Sequence, residues 1–156
     1  MHLHQPGGGF CISRCPVPFE QAGSVNIPGS LTAECVLTDS VGGLAAARRF
    51  TRLVLLAWTA VVAVDDALLV VTELAANALR HGGGDPLLRL SVDGADVRIE
   101  VFDDNPAPPV RRPAGADGGW GLVLVDRLSS VRGTARHGRG KVVWCVLPAT
   151  AVEFAG

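Results

Sequence analysis

The chain has 156 residues, 48% of them hydrophobic and 19% charged, with a formal net charge of -1. That is enough apolar material for the core of one domain, which excludes intrinsic disorder, and the near-neutral balance gives no whole-chain basicity to attract nucleic acid. Aromatic residues are 5% with no tyrosine, which weighs against a base-stacking platform. Lys141 is the only lysine, so phosphate chemistry must lean on arginines, backbone amides or a metal.

From Met1 to about Pro28 the chain carries Pro6, Pro16, Pro18 and Pro28 among glycines and shows no sustained period, so residues 1–32 read as a flexible Gly/Pro-rich tail and 33–150 as the ordered domain. Cys11 and Cys15 are spaced C-x3-C with His2 and His4 upstream, which fits no strong zinc signature. Pro6 to Gly9 interrupts any basic-then-apolar leader. The most apolar stretch, Leu53 to Val64, falls far short of the roughly 20 residues needed to cross a bilayer, so a soluble, cytoplasmic protein without membrane contact is expected. Four cysteines are too few for a disulfide scaffold, and Cys35 and Cys145, in apolar runs, read as core fillers.

Ala33 to Leu37 is short and apolar, a first strand. A helix then begins near Ser40 and runs towards Ala60, with Leu44, Ala47, Phe50, Val54 and Trp58 at helical spacing and Arg48, Arg49 and Arg52 on another side. A second helix starts near Asp65-Asp66, whose carboxylates suit a helix N-terminus, and runs to His81, where Gly82-Gly83-Gly84 ends it as a left-handed cap would. The period then changes. Leu88 to Val92 alternates up to Asp93-Gly94, and Val97 to Val101 alternates again, a β-hairpin. Prolines and glycines from Pro106 to Gly119 make a long loop, Gly121 to Leu128 resumes helical spacing, the basic segment Arg132, Arg136, His137, Arg139 and Lys141 reads as a wet loop more than as a nucleic-acid patch, and Lys141 to Leu147 is a last strand. This order predicts an α+β fold with helices on one face of a mostly antiparallel sheet.

Three features could carry chemistry. Glu73, Asn77 and His81 recur at i, i+4 and i+8, forming one polar stripe down an otherwise apolar helix. The plainer interpretation is a solvent-facing stripe; the functional one is a cleft in which Glu73 accepts a proton and the Asn77 amide oxygen meets a hard cation such as Mg²⁺. Val101-Phe102-Asp103-Asp104-Asn105-Pro106 puts carboxylates at a strand end, where turn chemistry accounts for Asp104 and Asn105, while Asp103 could accept a hydrogen bond from an exocyclic amine. Gly118-Gly119-Trp120-Gly121-Leu122 precedes a helix, whose free amides suit a phosphate, although neither the P-loop nor the dinucleotide-binding glycine pattern is present.

In this order, Glu73-Leu74-Ala75-Ala76-Asn77-Ala78-Leu79-Arg80-His81, Val101-Phe102-Asp103 with Pro106, Gly119-Trp120-Gly121-Leu122 and Gly140-Lys141-Val142-Val143-Trp144 resemble the GHKL ATPase superfamily, over roughly residues 38 to 148. Within it the chain is similar to the small single-domain proteins related to anti-sigma-factor serine/threonine kinases, many of them actinobacterial. The resemblance implies a two-layer α/β sandwich of the GHKL type with a mostly antiparallel mixed sheet. It also implies ATP and Mg²⁺ as cofactors. Asn77 would hold the metal, Glu73 would be the catalytic base, Asp103 would read the adenine amino group, and Arg80, His81, Gly119, Gly121 and Leu122 would lie close to the nucleotide, under a lid spanning Pro106 to Gly118. Where the superfamily usually has D-x-G-x-G, this chain has Asp103-Asp104-Asn105-Pro106, a proline variant frequent in the small branch; near the last strand it has Val142 and Val143 where the family often has threonine.

The function implied is an ATP-binding regulator that binds a protein partner, a sigma factor or an anti-anti-sigma-type regulator, and phosphorylates a serine on it. Direct nucleic-acid binding is not implied, and a homodimer is compatible with the resemblance. The alternative is a non-catalytic, nucleotide-dependent or nucleotide-free protein-interaction module.

Overall fold

The computed structural model describes residues 9–10, 31–38, 42–58, 60, 62–109 and 121–150. Along these, the elements are β1 (Gly9–Phe10), β2 (Leu31–Val36), α1 (Gly43–Ala57), α2 (Val64–His81), β3 (Leu87–Asp93), β4 (Asp96–Asp103), α3 (Gly121–Leu128), β5 (Val131–His137) and β6 (Gly140–Leu147). The strands form one sheet in the order β1-β2-β3-β4-β6-β5, antiparallel from β2 onward, with β1 added parallel through Gly9 opposite Thr32 and Phe10 opposite Ala33.

Alternation decides which face of this sheet the helices cover. Ala33 and Cys35, Leu88 and Leu90, Val97, Ile99 and Val101, and Cys145 and Leu147 are all buried, each two residues from the next within its strand, so one face is continuously apolar. Against it lie Ala47, Phe50 and Val54 of α1, with Leu44 and Trp58 packed at the margin, and Val70, Val71, Leu74 and Ala78 of α2. The fold is thus the α+β two-layer sandwich the sequence predicts. Phe50 and Val54 are fully buried, and removing the Phe50 ring would cost about 3–5 kcal/mol.

The other sheet face is held by charge instead of helices. In one cross-strand row Glu34 lies opposite Arg89, Arg89 opposite Glu100, Glu100 opposite Trp144, and Trp144 opposite Gly133. Arg89 Nε donates to Glu34 at 2.6 Å, Arg98 Nε donates to Glu100 at 3.0 Å, and the Arg98 guanidinium stacks 4.1 Å from the Trp144 ring centroid. A Cβ on Gly133 would fall 2.7 Å from the Trp144 ring, so the glycine leaves room for the indole. The row keeps this face polar without leaving Glu34 buried and uncompensated.

Local signals set most of the boundaries. α2 carries Asp65 and Asp66 in its first turn and Arg80 and His81 in its last, matching its dipole. Its last backbone cap is Gly82, and Gly83 and Gly84 follow at φ +65° and +66°, the left-handed exit expected from the glycine run. The β3–β4 hairpin turns at Gly94, φ +64°. One segment departs from the sequence reading: the basic stretch taken as a wet loop is strand β5, paired antiparallel with β6 from Val131 opposite Val146 to His137 opposite Gly140. It is an edge strand, mostly exposed, so its side chains need no apolar alternation and the backbone ladder alone defines it. Of the expected N-terminal tail, Gly9–Phe10 pairs with β2, which itself starts at Leu31; the Cys11 and Cys15 segment and His2 and His4 lie outside the described residues.

Candidate nucleotide site

The chemistry-bearing helix, α2, packs its apolar side on the core and turns Glu73, Asn77, Arg80 and His81 towards a cavity of about 450 Å³. Its walls also include Leu74, Ala78, Val101, Asp103, Asn105, Pro108, Pro109, Gly121, Leu122, Lys141 and Val143. The predicted stripe therefore lines a cavity, with Glu73 and Asn77 half-buried and His81 exposed at its rim. From Glu73 to His81 it spans about 12 Å of helix, which gives the cavity two ends.

At one end Glu73 meets the start of α3. A Cβ on Gly121 would lie 2.2 Å from Glu73 Oε2, so the carboxylate occupies the space a side chain would need and approaches the first turn of the helix. Helix N-terminal amides favour such a negative charge. Asn77 lies one turn along. Neither the Glu73 nor the Asn77 side chain hydrogen-bonds to another described residue, and both residues line the cavity.

At the other end α2 stops against the end of β4. A Cβ on Gly82 would lie 2.5 Å from the Asp103 Cβ, so only glycine lets the helix exit pass this close. Asp103 is 2% exposed and Lys141 6%, and they form an ion pair: Lys141 Nζ is 3.0 Å from Oδ2 and donates to Oδ1 at 3.0 Å. Lys141 Nζ also donates to the Asn105 carbonyl at 3.0 Å, while the Asn105 backbone N–H donates to Asp103 Oδ1 at 2.9 Å. The Asn105 side chain completes the corner. Its Nδ2 donates to the His81 carbonyl at 2.6 Å, an orphan acceptor at the C-terminus of α2, and its Oδ1 accepts from the Ala107 N–H at 3.0 Å.

Of the residues singled out in the sequence, Glu73, Asn77, Arg80, His81, Asp103, Gly121 and Leu122 share this one cavity. Arg80 and His81 are on its exposed rim. Gly119 lies outside the described residues, as does most of the expected lid; of the latter, Ala107, Pro108 and Pro109 are described and line the cavity. Lys141 and Asn105 contribute more than their sequence context suggests. Lys141, which reads as part of a solvated basic segment, is buried instead, because strand alternation puts it on the same face as Val143 and Cys145, in register with Asp103. Asn105 was read as turn chemistry, and its role as a tie between three elements exists only once α2 and β4 converge. Val143, not Val142, is the valine that faces the cavity. The arginines of α1 take no part; Arg48 donates instead to Thr72 Oγ1 of α2 at 2.7 Å.

The residues present fit a nucleotide. The volume is in the range of small-molecule sites, and apolar walls flank a few convergent polar groups. Among the described residues no group of three His, Cys, Asp or Glu could cage a metal.

Residues 38–147 match the family described as the histidine kinase-like ATPase domain, and the chain belongs to that family. It is thus an ATP-binding domain of the kinase-like ATPase type. Among solved structures, the chain is similar to the histidine kinase domain of the blue-light activated histidine kinase from Erythrobacter litoralis EL346, at 23% identity and a TM-score of 0.46, over 72% of this chain and 64% of that one. The chain therefore spans less than two thirds of that structure. No significant match is found among curated proteins. No helix among the described residues is long and apolar enough to cross a membrane.

Proposed function

We propose that this domain binds Mg-ATP in the α2/β4 cavity and transfers the γ-phosphoryl group to a serine hydroxyl of a protein partner, as a regulator of the anti-sigma-factor kinase type. The observation that supports this is the meeting of Glu73, Asn77 and Asp103 in one cavity, one turn of α2 apart and then across to β4. Phosphoryl transfer asks chiefly for positioning and charge neutralisation. Asn77 would hold the metal ion, which supplies charge neutralisation at the phosphates when bound. Glu73, unpaired in the cavity, is the group that would take the proton from an attacking hydroxyl. Asp103 would accept a hydrogen bond from the adenine amine. The partner would be a sigma factor or an anti-anti-sigma-type regulator.

The test is transfer of label from [γ-³²P]ATP to a candidate anti-anti-sigma protein by the wild type and Glu73→Ala, together with Mg²⁺-dependent binding of a fluorescent ATP analogue by Asn77→Ala and Asp103→Ala. Transfer that survives Glu73→Ala removes the base assignment. Analogue binding unaffected by both other substitutions removes the site. One observation favours a second reading, an interaction module that works without nucleotide: the Asp103 carboxylate already has a cation partner in Lys141. Partner capture independent of added ATP or ADP would favour it.

A further inference from the structure

β5 ends the sheet: β6 pairs with one of its edges, and no described strand lies beyond the other. Along its seven residues every second N–H and C=O therefore points away from β6, and most of the strand is exposed. A free edge of this length is a template for another extended chain. Its charge says which kind. From Val131 to Leu147 the chain carries Arg132, Arg136, Arg139 and Lys141 and no acidic residue, although its net charge as a whole is -1. Arg132 pairs with Asp126, Arg139 lies 3.9 Å from Asp104, and Lys141 holds Asp103. Arg136 makes no hydrogen bond or ion pair among the described residues. Strand register makes this specific. Asp103 of β4 lies opposite Lys141 of β6, and Lys141 lies opposite Arg136 of β5. The row thus runs minus, plus, plus, and there the sheet stops. Like charges directly opposite each other weaken a sheet, and the one carboxylate of the row is committed to the lysine at 3.0 Å. An anion for Arg136 has to come from beyond β5. On the other face of the strand Val131 is 50% exposed, and exposed Ala135 lies opposite buried Val142, which suits an apolar neighbour.

We propose that the free edge of β5 takes up an extended acidic segment of a protein partner as a seventh strand, with a carboxylate in register with Arg136 and apolar residues on the Val131–Ala135 face. Main-chain hydrogen bonds supply the affinity, and the charged row and the period-2 alternation set the register. A second copy of this chain is a poor occupant, because its β5 brings the same arginines and no carboxylate. A nucleic acid offers anions but not the alternating N–H and C=O groups that an edge pairs with. The nearby rings are also engaged: the Arg98 guanidinium covers Trp144, and Phe102 meets His137 edge-on. None of residues 131–137 lines the α2/β4 cavity, so the inference stands apart from the nucleotide reading and concerns how a partner is held.

The experiment is fluorescence anisotropy of the full chain, without ATP, against a labelled peptide that alternates glutamate with valine over the length of β5. One control peptide has lysine for glutamate. The other is N-methylated at its two central residues, which removes a backbone donor from each edge. The glutamate peptide should bind at least about tenfold tighter than either control. Arg136→Glu should weaken it roughly three- to tenfold with an unchanged circular dichroism spectrum, since the side chain is exposed, and Arg136→Lys should retain most of the affinity. Hydrogen exchange read by NMR should show the bound peptide protecting alternate amides of residues 131–137. If Arg136→Glu does not fold, Arg136→Gln replaces it, with a loss of about two- to threefold expected. No binding of the glutamate peptide, equal binding of its N-methylated version, or wild-type affinity in a folded Arg136 variant without the cation overturns the inference. An oligothymidylate of equal charge that competes as well as the peptide also overturns it, by making the edge a plain anion patch, and so does a dimer through β5 that shuts the peptide out. Failure of ATP binding would remove the proposed function and leave these results standing.

Discussion

The two ends of the cavity are built on opposite principles. At the β4 end each polar group is already tied: Asp103 to Lys141, Lys141 to the Asn105 carbonyl, Asn105 to the end of α2 and to the Ala107 amide. At the α3 end Glu73 and Asn77 hold nothing among the described residues and face the open cavity. The first end is preorganised and contributes to the fold. The second is held in place by the apolar back of α2, and its polar groups have no described hydrogen-bond partner. Substitutions at the two ends should therefore separate stability from activity.

The largest effect expected is at the open end. Glu73→Gln should lower phosphoryl transfer by about 10²- to 10⁴-fold while leaving the melting temperature and ATP affinity nearly unchanged, as read by label transfer beside thermal denaturation. A large loss of stability would mean that Glu73 is a structural group after all. Gly121→Ala sharpens the same point. Its Cβ would meet only the far end of the Glu73 side chain, at 2.2 Å from Oε2, so the carboxylate must move while the backbone need not. Transfer should fall by up to about 10²-fold, with little change in stability because alanine also favours the helix.

The tied end should respond the other way. Asp103→Ala leaves the Lys141 ammonium buried without its carboxylate, and chemical denaturation should report a loss of about 3 kcal/mol in addition to weakened nucleotide binding. Gly140→Ala acts on the same corner through sterics. Its Cβ would stand 1.8 Å from the Asp103 carbonyl oxygen and 2.7 Å from the Asp104 Cα, both backbone atoms, so β6 must shift from β4 at a cost of about 1–3 kcal/mol. If Gly140→Ala is as stable as wild type, the junction is looser than described.

The smallest effect is a pH dependence set by the buried thiols. Burial pushes the Cys145 thiol up to about 12, with Arg98 and Arg132 opposing the shift less strongly. Burial also raises Cys35, against a smaller opposing effect of Arg49. A folded-state value above the unfolded one means that the stabilisation is complete below the ordinary thiol range, near pH 8.5, and fades as pH rises towards 12. Denaturant unfolding of wild type should weaken between pH 9 and 11 more than that of Cys145→Ala, and iodoacetamide should leave Cys145 unmodified in the native protein at pH 8.

Much of the fold was legible because local chemistry carries it. The period-3.6 apolar face of α1, the acidic start and glycine exit of α2 and the Asp93-Gly94 turn each fix an element with no reference to the rest. The stripe of Glu73, Asn77 and His81 was legible for the same reason, since helical spacing alone puts them in line. β5 was not, because an exposed edge strand has no burial pattern to betray it and is defined by its pairing with β6. Lys141 and Asn105 were not either. A lysine at the start of a strand reads as a solvated charge until a carboxylate is found across the ladder.

The sequence by itself determined the helices, the hairpin, the apolar face of the sheet and which residues could do chemistry, because propensity and periodicity act over a few neighbours. Only the tertiary structure decided that the stripe faces a cavity and that the sole lysine neutralises the strand-end aspartate 38 residues away. Burial and ion pairing depend on which segments meet, and it is the meeting of α2, β4 and β6 that turns a row of polar residues into a site.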